Sequence, residues 1–359
     1  MPLYIDLHII DAVDFSEEDA YKAHLRDIAV QEQYGVKYVK YWINFTHNTL
    51  FCLMESPDKE SCIETHKEAH GLTACNVIEV SSEDEFNPFL GVGAKNDRDL
   101  ALTLSGAIDT GYRTLMMIRL EDLSGKHEWS IEEIYRLIEQ HNGGVVMQPG
   151  DRIMASFIYA SDAISCIVEV SDLLKKIPDA FDYNLALVTG KPVDEKGSEL
   201  FEEAKKRLIM LCTIGLSNLV HIDMATRNLA QKESNSQDLN KTDVKFISTY
   251  DFSLYGTLWE ILEDKITHPD FRRDHLAKEL GLSKAQTYRN IKALTGMSPS
   301  TLIREMRLRR SLGALKKNSK TVAEIAYELG FNSPTYFTRV FRNRFGILPT
   351  SYVKISTRE

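Results

Sequence analysis

Residues 322–353 read VAEIAYELGFNSPTYFTRVFRNRFGILPTSYV, and their punctuation decides the architecture of this end of the chain. A short amphipathic run, Val322–Leu329, ends at Gly330, a residue free to take the left-handed conformation at which helices stop. Ser333 is then a good N-cap, and Pro334 follows at the favoured first helical position. Helix, glycine turn, capped helix is the helix-turn-helix pattern, whose second helix lies in the major groove of DNA. The exposed positions expected on that second helix are Thr335, Thr338, Arg339 and Arg342.

The same unit occurs once more upstream. Ala277-Lys278-Glu279-Leu280-Gly281 recurs as Ala326-Tyr327-Glu328-Leu329-Gly330, and Gly296-Met297-Ser298-Pro299 recurs as Gly346-Ile347-Leu348-Pro349, at offsets of 49 and 50. In the first copy His275–Leu280 stops at Gly281, and Ser283 caps a helix Lys284–Leu294 whose exposed positions are Lys284, Gln286, Arg289 and Lys292. Arginine can pair bidentately with guanine, while lysine and threonine suit phosphates or single base edges. Between the copies, Thr301–Leu315 spaces Leu302, Met306, Leu308, Leu312 and Leu315 helically, with four arginines among them. A rigid helix there would fix the separation of the two recognition helices, ideally near one duplex turn of ~34 Å.

Charge follows this division. From Lys265 onward there are 19 Lys and Arg against 7 Asp and Glu, a net of +12; the preceding 264 residues carry −21, giving −9 for all 359. A basic quarter on an acidic body is the electrostatic footprint of a nucleic-acid module attached to something else. The length favours two or three domains of roughly 100–200 residues, and 43% apolar residues exclude a mostly disordered chain. No apolar run approaches the ~18 residues of a membrane span, and Met1–Asp6 does not read as a secretory signal. Cys52, Cys62, Cys75, Cys166 and Cys212 are odd in number and contain no Cys-x-x-Cys pair, as expected of buried thiols in a cytoplasmic protein.

Asp270–Val353 resembles the DNA-binding domain of the arabinose-operon type (AraC/XylS) transcription regulators. The carriers are HLAKELGLS, ALTGMSPSTLIREMRLRRS and IAYELGFNSPTYFTRVFRNRFGILPTSY. One departure is Thr287-Tyr288, where that family has a leucine and a small residue; Tyr288 joins the candidates for DNA contact. The resemblance implies sequence-specific promoter binding, with double-stranded DNA as partner and RNA polymerase as a further one.

The first eighty residues read as a separate unit: strand Leu3–Ile9, helix Glu17–Gln33, strands Val36–Ile43 and Thr49–Met54, helix Pro57–His70 and strand Asn76–Val80. The order βαββαβ is the ferredoxin-like arrangement. His66 and His70, four apart, share a helical face, and His8 lies on the first strand. Imidazoles so spaced can share a divalent ion. The alternative is two surface histidines near a helix end, where Gly71 stops the helix and the dipole favours them. The segment is also similar to the small ferredoxin-like domains typified by an actinobacterial nickel-binding protein, through PLYIDLH, VQEQYGVKY, Tyr41-Trp42, FCLMESPDKES and HKEAHGL. That resemblance implies a divalent transition metal, nickel favoured, on His8, His66 and His70, and a homodimer.

After a polar stretch, Ser81–Asp99, residues 110–230 read as strand, helix, strand, strand, helix, helix, strand, helix. This part resembles class III nucleotide cyclase domains through EDLSG (121–125), HNGGVVMQPGDRIMASF (141–157), Ser161-Asp162-Ala163 and LVTGKPV (187–193). The family's two metal-holding aspartates fall at Asp122 and Asp151, closer together than that family has them. Its base-reading lysine falls at Met147, and its asparagine and arginine at Lys206 and Met210. Without that charge stabilisation the chemistry loses its main source of rate. The expectation is therefore a degenerate domain with a remnant cleft, not an enzyme.

The sequence thus predicts a multidomain α+β protein. A ferredoxin-like metal domain occupies 1–82, a cyclase-like α/β domain 108–232, a linker 233–250 and an all-α double helix-turn-helix 251–359. The function expected is a DNA-binding regulator controlled by a metal or small ligand. Two alternatives stand beside it: an active cyclase tethered to DNA, and a constitutive DNA binder whose N-terminal half only dimerises.

Overall fold

Successive side chains of Leu3–Ile9 point to opposite faces of a strand, so Ile5 and Leu7 share one face while Tyr4, Asp6 and His8 share the other. That alternation sets the plan of the N-terminal unit. The computed structural model describes residues 1–12, 14–80, 86–91, 93–123, 131–147, 152–176, 181–214, 218–234 and 243–356. The unit runs β1 (Leu3–Ile9), α1 (Glu17–Val30), β2 (Lys37–Asn44), β3 (Thr49–Glu55), α2 (Lys59–His70) and β4 (Asn76–Val80), with sheet order β2-β3-β1-β4. This is the ferredoxin-like topology read from the sequence. The first helix ends earlier than expected, and Gln31–Tyr34 form a separate 3₁₀ turn that closes at Gly35.

Beyond a small ribbon of β5 (Ala94–Lys95) and β6 (Ala101–Leu102) lies a second unit. It runs β7 (Arg113–Asp122), α3 (Ile131–Gln140), β8 (Gly144–Met147), β9 (Arg152–Phe157), α4 (Ala160–Lys175) and β10 (Phe181–Gly190). Its sheet order, β8-β9-β7-β10, repeats the topology of the first unit. A crossover through α5 (Glu202–Ile214) then adds β11 (Val220–Asp223) parallel to β10. Another through α6 (Met224–Glu233) adds β12 (Val244–Ile247) parallel to β11.

Three expectations need correction here. A ten-residue strand, β10, lies between the two helices that were expected to be consecutive. It is buried along most of its length and on both faces, so the alternation that marks a half-buried strand is missing. The expected linker 233–250 is not one throughout: Val244–Ile247 is the edge strand of the second sheet, and Ser248 caps the next helix. The polar stretch 81–99 also contributes to the core, because Phe86, Phe89 and Leu90 are buried.

The C-terminal unit is all helical: α7 (Thr249–Lys265), α8 (Arg273–Glu279), α9 (Lys284–Thr295), α10 (Pro299–Lys316), α11 (Val322–Glu328), α12 (Pro334–Phe345) and α13 (Pro349–Ser356). Ser283 and Ser333 cap α9 and α12 as the sequence predicts, with Pro334 in the first turn of α12. At Gly330 φ is +80°, and a Cβ would lie 2.8 Å from the Thr267 carbonyl oxygen and 2.9 Å from the Arg307 guanidinium. Only glycine fits that turn without strain.

One hydrophobic core crosses all three units. It begins on the face of the first sheet away from its helices (Ile5, Leu7, Phe51, Leu53) and passes through Phe89 and Phe201 beside Leu115 and Met117. It continues through Tyr255 and Leu258 to Leu276, Ile291, Leu294 and Leu302 of the first helix-turn-helix. The second helix-turn-helix has its own core of Leu308, Leu312, Phe331, Phe337, Phe341 and Tyr352, joined by Leu123. Among the described residues no helix is long and apolar enough to cross a membrane.

Candidate functional site

Two constellations stand out, one at each end of the chain. On the C-terminal face, α9 turns Thr287, Ile291 and Leu294 inward and leaves Lys284, Gln286, Tyr288, Arg289 and Lys292 exposed. The helix α12 buries Phe337, Phe341 and Phe345, leaves Thr335, Arg339 and Arg342 exposed, and half-buries Thr338. The side chains are not equally available. The Gln286 Oε1 accepts from the Ser283 backbone N–H in a capping box. Lys284 pairs with Asp274 at 3.0 Å, and the Lys292 ammonium donates to the Gly296 carbonyl at its own helix end. Arg339 lies over the Tyr336 ring, 5.3 Å from its centroid. The Thr287-Tyr288 departure has a local reason: the Thr287 hydroxyl turns inward onto the Ser283 carbonyl, leaving Tyr288 half exposed.

The connecting helix α10 has 18 residues, about 27 Å at 1.5 Å per residue. Its arginines divide by role. Arg304 is exposed, whereas Arg307 and Arg309 are buried. Arg307 donates to the carbonyls of Ile266 and His268, and Arg309 to that of Thr213.

The N-terminal constellation lies between the first sheet and its two helices. His66 is fully buried, which removes the reading of a surface histidine. Its Nε2 lies 2.6 Å from Asp6 Oδ2 and its Nδ1 lies 3.0 Å from Asp27 Oδ1. His70 Nε2 reaches the same Asp27 oxygen at 3.2 Å, and His8 Nε2 reaches Asp6 Oδ2 at 3.2 Å. Burial would depress the His66 imidazolium, but the Asp6 charge and the bonds to both aspartates outweigh it and lift it to about 10. Burial likewise pushes Asp6 and Asp27 up, and the facing histidines hold both below the usual carboxylate range.

The ligand-type atoms form two sets that share His66. One is Asp27, His66 and His70; the other is Asp6, His8, Cys52 and His66; within each the atoms lie within 4.8 Å of one another. The structure thus places His66 with His70 in one set and with His8 in the other, so among the described residues the three histidines singled out in the sequence do not form one ligand set; Asp6, Asp27 and Cys52 join them. Asp6 and His8 were legible as a same-face pair on one strand, but nothing in the sequence near Asp27 marks it. Imidazoles and carboxylates suit a divalent transition ion, so the donor chemistry fits one. Of the five thiols only Cys75 is exposed, against the expectation that all are buried.

In the central unit Asp122 ends β7 partly buried, and Asp151 lies outside the described residues. Met147 is exposed on β8, Lys206 is exposed on α5 and Met210 is buried in the core. Met147 and Lys206 line one cavity together with Arg152 and Glu202.

Two families match the chain. One described as "Helix-turn-helix domain" covers residues 276–355. The other, "Nickel responsive protein SCO4226-like", covers residues 4–80. They fall on the two ends where the sequence resemblances lie and leave that of the central unit to cyclases unsupported. Among curated relatives, histidine kinase P4 of Formosa agariphila is 27% identical over 233 residues, 61% of this chain and 16% of that protein. The HTH-type transcriptional activator RhaS of Mannheimia succiniciproducens is 34% identical over 76 residues, 21% of this chain and 28% of its own length. The crystal structure of SCO4226 from Streptomyces coelicolor A3(2) is 26% identical, covering 23% of this chain and 98% of that one, with a TM-score of 0.21. The chain spans less than a third of the length of these two curated relatives.

Proposed function

We propose that this chain is a sequence-specific DNA-binding transcription regulator whose operator affinity is set by a divalent transition ion in the N-terminal unit. The observation that carries the reading is the pair of capped helix-turn-helix units, each turning polar and basic side chains outward, on the same chain as a buried His–Asp cluster. Asp27, His66 and His70 would hold the ion, with nickel the first candidate from the matched family. Bound there, it would supply positive charge between two helices and the sheet, and Asp6 would orient the His66 imidazole from behind. The reading includes a homodimer, RNA polymerase as a promoter partner, work in the cytoplasm where the DNA is, and no catalytic turnover. The loss of catalytic groups at Met147, Lys206 and Met210 supports the last of these.

The test begins with chelator-treated protein and selection from a random duplex library, followed by anisotropy titrations of the selected duplex with and without nickel chloride. Metal-linked control predicts affinities that differ at least fivefold, the lower range of ordinary coupling between sites. Equal affinities would leave a constitutive DNA binder, and failure to select any sequence would sink the regulator reading.

A further inference from the structure

The N-terminal unit contains a cavity of about 630 Å³ between the first sheet and its helices, a volume that suits a small organic molecule. Phe15 and Leu50 line it, and Ile9 and Leu72, also in its wall, remain 46% and 62% exposed, an apolar rim open to solvent. Metal-type ligands form only part of the wall. His24 and Tyr41 belong to it too, are 4% and 0% exposed, and each holds a polar atom with no partner: His24 Nδ1 and Tyr41 Oη. Buried polar groups are rarely left unpaired, and two of them on the wall of one cavity point to a polar group held between them.

We propose that this cavity binds a small neutral amphipathic molecule, an amide, alcohol or phenol on an apolar body, through His24 and Tyr41. The chemistry of the head follows from the two side chains. His24 Nε2 lies 3.2 Å from Asp99 Oδ2, and the other oxygen of that carboxylate, Oδ1, takes Lys95 at 2.6 Å. A carboxylate there holds the proton on Nε2 and leaves Nδ1 as an acceptor, while the Tyr41 hydroxyl is a donor. The two rings are neighbours on the cavity wall, 4.9 Å apart between centroids, and the proposal has one head group meet both. That head must donate to one and accept from the other, which an amide or hydroxyl does and a carboxylate cannot. This inference stands beside the metal reading and does not depend on it.

Acetanilide, a neutral amide on a phenyl ring, is the probe, and benzoate the acidic control of similar size. Saturation-transfer NMR on the full chain in excess EDTA should show acetanilide bound and benzoate not. Ala23→Trp, which puts an indole into the cavity, should abolish the signal, with a thermal melt to show that the variant is folded. Tyr41→Phe, which removes only the unpaired hydroxyl, should weaken acetanilide about tenfold, the size of one hydrogen bond to a buried partner. No acetanilide signal in the wild type would overturn the proposal. So would a signal that needs added metal, because the cavity would then be only the approach to the ion, or binding unchanged in both variants.

Discussion

His66 holds a carboxylate on each ring nitrogen, and the geometry decides which side can take an ion. Asp27, His66 and His70 all line the cavity, whereas in the other set His8, Cys52 and His66 line it and Asp6 does not. In the proposed function an ion would therefore sit on the Nδ1 side, with Asp6 orienting the ring through Nε2. Asp27→Asn should then weaken nickel binding by more than about 100-fold in a calorimetric titration, and Asp6→Asn by about 10–100-fold, the usual cost of losing an orienting partner. The reverse order would move the ion to Asp6, His8 and Cys52. His70→Ala is a cleaner ligand deletion than His66→Ala, which would take the shared partner from two buried carboxylates, leave only His8 on Asp6 and His70 on Asp27, and destabilise the fold by up to about 3–5 kcal/mol. A different residue governs acid stability. His221, on β11, is fully buried, and burial together with the Lys245 and Arg309 charges pushes its imidazole down to about 3. An unfolded chain would protonate it near 6.5, so below that pH the unfolded state binds the extra proton. Stability from this residue is complete above pH ~6.5 and falls as pH drops toward 3, by at most about 1.4 kcal/mol per unit. Urea midpoints measured from pH 7 to 5, where carboxylates scarcely titrate, should fall more steeply in the wild type than in His221→Leu. Parallel slopes would mean that the ring already carries its proton in the fold.

At the scale of elements, the recognition helices were legible because their signals are local. Ser283, Ser333, Pro334, Gly281 and Gly330 act on neighbours within four residues, so sequence order is enough to place them. β1 and β4 were readable to the residue for a similar reason, since each alternates or is bounded by turn residues. The strand β10 was not, because a strand covered on both faces has no polar side to mark its period. The metal cluster was half legible. The i, i+4 pair on α2 and His8 on β1 were visible, while Asp27 meets them only once α1 packs against α2. The recognition helices also differ in what their side chains are free to do. Arg339, exposed and steadied over Tyr336, is the best placed to read a base. Arg339→Ala should cost about 1–3 kcal/mol on the selected duplex and relax preference at one base position, as competition with point-substituted duplexes would show. Lys292 acts at the helix end. Lys292→Ala should weaken every duplex alike and lower the salt slope by about one. If its effect depended on sequence, Lys292 would be a base contact and the assignment of roles on α9 would fail.

Across the whole molecule, the two DNA-binding units are attached to the body by different forces. The first shares the continuous apolar core, through Leu276, Ile291 and Leu294. Among the described residues the second is held to the central sheet through polar contacts beside one apolar link, Leu123. Arg344, on α12, reaches Asp182 of β10 at 2.5 Å and Glu305 of α10 at 2.8 Å, and the Tyr352 hydroxyl meets the Glu121 carboxylate. Asp182 is buried, and although burial would raise its pKa, Arg309 and Arg344 hold it below the ordinary range. Apolar contact is indifferent to salt and to small changes of angle, whereas a charged contact is directional and screened. A change in the N-terminal unit would therefore reach the first recognition helix as part of one packed body, and the second, tied to that body through α10 and the charged contacts, would shift against it more readily. Arg344→Ala tests this division. It removes one partner of a half-buried ion pair, a loss of about 2–3 kcal/mol, below the 3–5 of a fully buried one. Amide hydrogen exchange should accelerate in α12 and α13 by the corresponding factor, roughly 30–150-fold, while α9 keeps its protection. High salt should have the same effect on the wild type in smaller measure. If α9 were released together with α12, the two units would open as one body, and control of operator affinity would have to act on both recognition helices at once.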